Sequence, residues 1–190
     1  MENNKTIKNK NLPNQLTIGR ILAIPVFIVV LLMGYRIAAC VIFIGAAFTD
    51  YLDGNIARKY NLVTNFGKLM DPLADKLLTM AAFICFVELG DIPGWMVIVI
   101  LGREFISTGM RQVAAAEGIV IAAGWSGKIK TVCQMVAIPL IMLENWPFEL
   151  LPFPCPADTV MLWAALIMTI WSGAEYIIKN REVFSMKNKA

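Results

Sequence analysis

Long apolar stretches, separated by short polar connections, follow one another along most of the chain. A helix needs about 20 mostly apolar residues to cross a bilayer, and the stretches are close to that length. We therefore predict an all-α integral membrane protein with six transmembrane helices. The predicted helices cover residues 16–33, 37–58, 66–87, 95–116, 127–143 and 159–178.

The composition agrees with a membrane protein. Hydrophobic residues make up 58% of the chain and charged residues 16%, whereas a soluble domain averages about 45–50% and about 25%. The net charge of +3 is too small to indicate a nucleic-acid partner. Because the sequence contains no histidine, it excludes a Ser-His-Asp triad and the commonest zinc ligand sets.

The distribution of basic residues predicts the orientation in the membrane. Cytoplasmic connections carry an excess of Lys and Arg. If the N-terminus is cytoplasmic, only Arg36 of the 17 basic residues faces outward. We therefore predict a cytoplasmic or interfacial arm at 1–13, a six-helix domain at 14–180 and a basic cytoplasmic tail at 181–190. The protein would be a multi-pass protein of a plasma membrane, with both termini in the cytoplasm.

Four carboxylates lie where the second and third predicted helices reach the cytoplasm. Asp50 and Asp53 are three residues apart, and Asp71 and Asp75 are four apart. Offsets of three and four share one face of a helix. If the two helices form a tight hairpin, all four carboxylates line one cavity at the cytoplasmic face.

The energetic cost of this cluster predicts bound cations. A lone Asp in the middle of a membrane helix costs about 2.5–3.5 kcal/mol, so four approach ~10–14 kcal/mol before mutual repulsion. The neighbouring Arg58 and Lys76 cannot neutralise four carboxylates. Divalent cations can, and all-oxygen ligands favour Mg²⁺ or Mn²⁺ over zinc or copper. Two such ions would suit phosphoryl transfer. The alternative is a set of solvated helix ends.

Small residues accompany the carboxylates. Gly54, Ala57 and Gly67 lie on or beside the acidic faces. Small residues allow membrane helices to pack closely, and they also leave room for a ligand against the backbone. The sequence leaves both roles open.

The full pattern at 50–75 is D-x2-D-G-x2-A-R-x8-G-x3-D-x3-D. At every fixed position it resembles the signature of the CDP-alcohol phosphatidyltransferase family. Other runs resemble the branch of that family that uses glycerol 3-phosphate as acceptor, and the resemblance covers about residues 11–180. These runs are L-P-N-Q-L-T-I-G-R, D-P-L-A-D-K-L-L, and G-R-E-F-I-S-T-G-M-R-Q-V-A-A-A-E-G followed by G-K-I-K-T.

The resemblance implies a reaction and a site. The phosphatidyl group of CDP-diacylglycerol would pass to sn-glycerol 3-phosphate, giving phosphatidylglycerophosphate and CMP, in a homodimer of six-helix chains. The compact form of the chain fits a bacterial plasma membrane. Asp75 would be the general base on the acceptor hydroxyl. The metal ligands would be Asp50, Asp53, Asp71 and Asp75, and the CDP-donor contacts would be Gly54, Ala57, Arg58 and Gly67.

Basic residues inside apolar helices indicate where the acceptor phosphate binds. Arg103 and Arg111 lie in the fourth predicted helix, and Lys128 and Lys130 begin the fifth. Arginine suits bidentate phosphate contacts, and a helix N-terminus favours anions. As alternatives, the two lysines could be ordinary cytoplasmic anchors, Arg103 could pair with a membrane carboxylate, and Arg111 could pair with Glu104.

Two other functions are compatible with the sequence. A transferase of the same family could use inositol phosphate, phosphatidylglycerol or serine as acceptor. From another class, a divalent-cation transporter could also be lined by Asp, but no acidic series continues across the bilayer. A structural scaffold would leave the carboxylates unexplained.

Overall fold

Six α-helices form the described part of the chain. The computed structural model describes residues 12–60, 65–116, 118, 124–146 and 156–179, and no strand occurs among them. Within these ranges, side chains are described at 19–49, 76–115, 118, 124–146 and 156–179. The helices are α1 Leu12–Leu32, α2 Arg36–Tyr60, α3 Asn65–Glu88, α4 Gly94–Ala116, α5 Trp125–Met142 and α6 Ala157–Lys179.

The predicted helices are confirmed. The largest difference is at the start of α1, which begins at Leu12 instead of residue 16. The helix therefore includes the last two residues of the predicted N-terminal arm. Residues 1–11 of that arm and the predicted tail at 181–190 lie outside the described residues.

One helix is long and apolar enough to cross a membrane, judged by length and composition over the described residues. This helix is α6, and two shorter apolar segments are Gly19–Leu32 and Arg36–Thr49. The all-helical class is thus observed. The six crossings and their orientation remain predictions.

The chain divides into two compact units, Met1–Cys85 and Phe86–Ala190. In the first unit, α1 and α2 form a helical hairpin. Gly34, with a φ of 85°, ends α1, and the Tyr35 N–H donates to the Val30 carbonyl at 3.2 Å. This is a common glycine-dependent helix end: the left-handed residue turns the chain so that the N–H groups after the helix donate to its last carbonyl groups. The buried rings of Phe27 and Phe43, with centroids 6.1 Å apart, pack across the hairpin.

In the second unit, α4 and α6 run parallel to each other. The rings of Trp95 and Trp163, near the starts of the two helices, have centroids 6.1 Å apart. Toward their other ends, the Tyr176 hydroxyl donates to the Ser107 carbonyl at 3.4 Å. Contacts at both ends in the same order require the two helices to point the same way.

Helix α5 runs antiparallel to α6. Ser126, in the first turn of α5, donates a hydrogen bond to Glu175, in the last turns of α6. Fully buried alanines occur on both helices, at Ala137 and Ala165. Small residues of this kind let membrane helices approach closely. The directions of α4, α5 and α6 therefore alternate along the chain.

Candidate functional site

The backbone places the predicted metal and donor residues on two helices of the first unit. Their three- and four-residue spacings therefore correspond to shared helix faces, as predicted. Their side chains lie outside the described residues, so the predicted cavity stays a prediction. These residues are Asp50, Asp53, Gly54, Ala57 and Arg58 on α2, and Gly67, Asp71 and Asp75 on α3.

In the second unit, one carboxylate joins two of the predicted acceptor residues. The Lys130 ammonium donates to Glu104 Oε1, and Arg103 Nη1 lies 3.4 Å from the same oxygen. Lys130 and Glu104 are buried, with 3% and 9% of their surface exposed. The pairing of Arg103 with a membrane carboxylate, one of the predicted alternatives, therefore occurs. Because two cations share one carboxylate, this trio keeps one net positive charge.

Two glycines make room for the Arg103 side chain. A Cβ atom at Gly173 of α6 would lie 3.1 Å from Arg103 Cγ, and one at Gly127 of α5 would lie 3.5 Å from Arg103 Nη2. The side chain therefore extends from α4 past α6 to the first turn of α5. The first backbone N–H groups of a helix have no partner within it and favour anions. Arg103 thus adds a guanidinium to a helix end that already favours a phosphate.

Arg111 lies over an aromatic ring. Its guanidinium carbon is 5.7 Å from the ring centroid of Tyr176, which is itself buried. An ion pair between Arg111 and Glu104, the predicted alternative, is not among the contacts of the described residues. The Nε atoms of Arg103 and Arg111 are buried and have no hydrogen-bond partner among the described residues.

The two lysines at the start of α5 have different surroundings. Lys128 is exposed, and its ammonium lies 5.2 Å from the ring centroid of Trp125. Lys130 is buried against Glu104. Two positions along a helix correspond to a rotation of about 200° around its axis, so the two side chains lie on nearly opposite sides of α5.

An apolar cavity of about 280 Å³ lies between α4 and α6. Its polar lining comes from Arg103, Ser107, Thr169 and Tyr176, and the rest is mainly isoleucine, valine and glycine. Arg103 Nη1 donates to Ser107 Oγ at 3.3 Å. The stem of Arg103 thus borders an apolar space while its guanidinium reaches polar partners.

Sequence reasoning missed most of the uncharged and acidic partners. Glu104 was considered only as a partner of Arg111, although a carboxylate inside an apolar helix is by itself a functional signal. Ser107 follows Arg103 by four residues, an offset that places them on one face. Tyr176 and the Ser126–Glu175 hydrogen bond had no comparable signal, because they depend on how α6 packs.

The described cluster is rich in hydrogen-bond donors that carry positive charge. Among the described residues, no group of three His, Cys, Asp or Glu side chains could hold a metal ion. The cluster instead presents arginine and lysine donors around a helix N-terminus. Such donors bind phosphate through charge-assisted hydrogen bonds.

Comparison with known proteins agrees with this chemistry. The model of the CDP-alcohol phosphatidyltransferase family matches residues 10–171. The chain is 47% identical to the CDP-diacylglycerol–glycerol-3-phosphate 3-phosphatidyltransferase of Bacillus subtilis, over 94% of this chain and 99% of that protein. It is 36% identical to the enzyme of the same name from Rickettsia bellii, over 93% and 98%. It is 39% identical to a probable phosphatidylglycerophosphate synthase of Mycobacterium tuberculosis, over 89% and 81%.

Proposed function

Because this chain belongs to the CDP-alcohol phosphatidyltransferase family, we propose that it transfers the phosphatidyl group of CDP-diacylglycerol to sn-glycerol 3-phosphate. The products are phosphatidylglycerophosphate and CMP. The observation that carries the proposal is the likeness, along nearly the whole chain, to relatives whose names state this donor and this acceptor.

The donor half of the site is assigned to α2 and α3. The all-carboxylate donor set fits Mg²⁺ or Mn²⁺, and the helical spacing of its members supports shared ligation. When bound, two such ions would neutralise charge on the pyrophosphate and the departing CMP. The ions would be held by Asp50, Asp53, Asp71 and Asp75, and the CDP portion by Gly54, Ala57, Arg58 and Gly67.

Asp75 is proposed as the general base. The acceptor hydroxyl oxygen attacks the phosphorus that carries diacylglycerol, and the bond from that phosphorus to CMP breaks. The Asp75 carboxylate accepts the hydroxyl proton during the attack. Because the sequence has no histidine, a carboxylate is the side chain best suited to this role.

The acceptor phosphate is assigned to α4 and α5. Arg103, Arg111, Lys128 and Lys130 would hold it at the N-terminal end of α5. The position of the Arg103 guanidinium beside Gly127, in the first turn of α5, supports this assignment. An acceptor without net charge, such as zwitterionic serine or free inositol, would not need so many cations.

The proposal includes a membrane arrangement. The protein would cross the bilayer six times, with both termini and the active site in the cytoplasm, and would form a homodimer. The support is the apolar length of α6, the alternating directions of α4, α5 and α6, and the concentration of basic residues on one side.

An acceptor panel tests the proposed function. Purified protein in detergent would receive radiolabelled CDP-diacylglycerol with glycerol 3-phosphate, inositol phosphate, phosphatidylglycerol or serine. We expect labelled phosphatidylglycerophosphate and CMP only with glycerol 3-phosphate, and only with Mg²⁺ or Mn²⁺ present. A product with another acceptor would overturn the acceptor assignment. Cation uptake into proteoliposomes without CDP-diacylglycerol would instead indicate a transporter.

A further inference from the structure

Glu104 is an anion in the middle of a group of cations assigned to bind an anion. By charge alone, a carboxylate at this place weakens the attraction of the site for a phosphate. It also lies in a mostly apolar helix, where a carboxylate is costly. Its pairing with Lys130 and Arg103 offsets the cost of burial, and the arrangement of these contacts indicates a role in the site.

The contacts of Glu104 fix two long side chains in one arrangement. Its Oε1 accepts from Lys130 and lies 3.4 Å from Arg103 Nη1. The same Arg103 nitrogen donates to Ser107 Oγ at 3.3 Å, and that hydroxyl in turn donates to the Glu104 carbonyl at 3.2 Å. Without such partners, lysine and arginine side chains adopt many rotamers, and ordering them on binding weakens affinity.

We propose that Glu104 is a positioning residue, which holds the Lys130 ammonium and the Arg103 guanidinium in the arrangement that binds the acceptor phosphate. This inference rests on the proposed function. The carboxylate weakens the electrostatic attraction between the site and the acceptor phosphate, but it orders the two cations before the acceptor binds. The benefit is greater where the cations are buried, as Lys130 is.

The sign of one measurement separates positioning from simple electrostatics. In Glu104→Gln the negative charge is removed and the side-chain shape is kept. If Glu104 acts only through its charge, the KM for glycerol 3-phosphate falls. If it positions the cations, KM rises by about tenfold, while kcat stays within about twofold of its original value. A tenfold rise is at the lower end of the effect expected when a hydrogen bond to a charged group is lost.

The matched control is Glu88→Gln, the same change at an exposed residue outside the cluster. Its KM and kcat should equal those of the unsubstituted protein. CMP release from CDP-diacylglycerol is measured against glycerol 3-phosphate concentration for each variant, together with thermal unfolding in the same detergent. An unchanged or lowered KM in Glu104→Gln overturns the proposal.

A second variant, in which the charges of residues 104 and 130 are exchanged, keeps the proposal testable if Glu104→Gln does not fold. Glu104→Lys combined with Lys130→Glu keeps an ion pair between α4 and α5 but moves the ammonium to the other helix. We expect restored thermal stability and a KM still raised about tenfold, because the cation no longer has its position. A KM equal to that of the unsubstituted protein would show that the pair only joins the helices. If neither variant folds, Glu104 serves the bundle and the proposal is wrong.

Different results would overturn the proposed function and the role of Glu104. If the unsubstituted protein releases CMP without need of glycerol 3-phosphate, the proposed function fails, and the inference fails with it. If the unsubstituted protein does need glycerol 3-phosphate and Glu104→Gln leaves its KM unchanged, only the inference fails.

Discussion

Gly173 is the position at which one methyl group most directly tests the acceptor site. A Cβ atom there would lie 3.1 Å from Arg103 Cγ, whereas relaxed carbon–carbon contacts are about 3.5–4.0 Å. In Gly173→Ala, the stem of Arg103 must therefore move by roughly 0.4–0.9 Å, the difference between these distances. We expect the guanidinium at the end of that stem to move with it from its place beside Gly127.

The expected effect on folding is small and the effect on binding is larger. Overpacking costs about 1–3 kcal/mol, and replacing glycine by alanine inside a helix returns about 1 kcal/mol. Unfolding free energy should therefore fall by roughly 0–2 kcal/mol. A displaced guanidinium can lose one charge-assisted hydrogen bond to the acceptor phosphate, worth about 1.5–3 kcal/mol. The KM for glycerol 3-phosphate should then rise by about tenfold or more.

The assay is CMP release at saturating CDP-diacylglycerol over a range of glycerol 3-phosphate concentrations. The matched control is Gly109→Ala on α4, where an added Cβ meets nothing within 4 Å, so that KM should not change. Arg103→Ala sets the upper limit of the effect. If Arg103→Ala raises KM and Gly173→Ala does not, the steric argument is wrong.

Three further predictions concern the metal ions and the contacts of α6. Chelation by EDTA should stop CMP release, and addition of Mg²⁺ or Mn²⁺ should restore it; retained activity with EDTA would contradict the metal assignment. Asp71→Asn should lower activity by about 100-fold or more, as for loss of one transition-state stabiliser. Tyr176→Phe keeps the ring beneath Arg111 but loses a hydrogen bond to α4. The unfolding free energy from thermal unfolding should therefore fall by about 0.5–1.5 kcal/mol, with KM unchanged; a raised KM would give the hydroxyl a role in binding. Ser126→Ala removes the hydrogen bond to Glu175 and should destabilise the protein by about 1 kcal/mol; equal melting temperatures would show that this contact does not stabilise the α5–α6 pair.

The helices were predictable because each apolar stretch is long enough for a continuous helix and is bounded by polar residues. Six stretches of suitable length gave six helices, and polar or glycine-containing connections marked their ends. The tight turn at Gly34 is an example, because glycine adopts its φ of 85° without strain. The earlier start of α1 was not predicted, because Leu12 and Pro13 precede the apolar run. The helix can nevertheless begin there, because Pro is well tolerated in a first helical turn.

The site was predictable only where it depends on positions along one helix. The spacing of the carboxylates on α2 and α3 is a property of each helix alone, and it could be derived from the sequence. The pairing of Lys130 with Glu104 depends on the rotation of α5 against α4. A helix that is apolar on most sides leaves that rotation open. For the same reason, the sequence could not choose between Lys128 and Lys130 as the buried lysine.

The ionisable residues of α4 and α5 argue for a phosphate-bearing acceptor. The two helices carry four basic residues (Arg103, Arg111, Lys128 and Lys130) and one acidic residue, Glu104. Four positive charges less one negative charge leave a surplus of three. Aromatic contacts of Arg111 and Lys128 reduce the cost of part of that surplus, but they do not neutralise it. An anionic substrate would neutralise it, and we expect its binding to be strongest where the cations are already ordered. An acceptor with its own phosphate therefore fits these helices, whereas serine would bring no net negative charge to them.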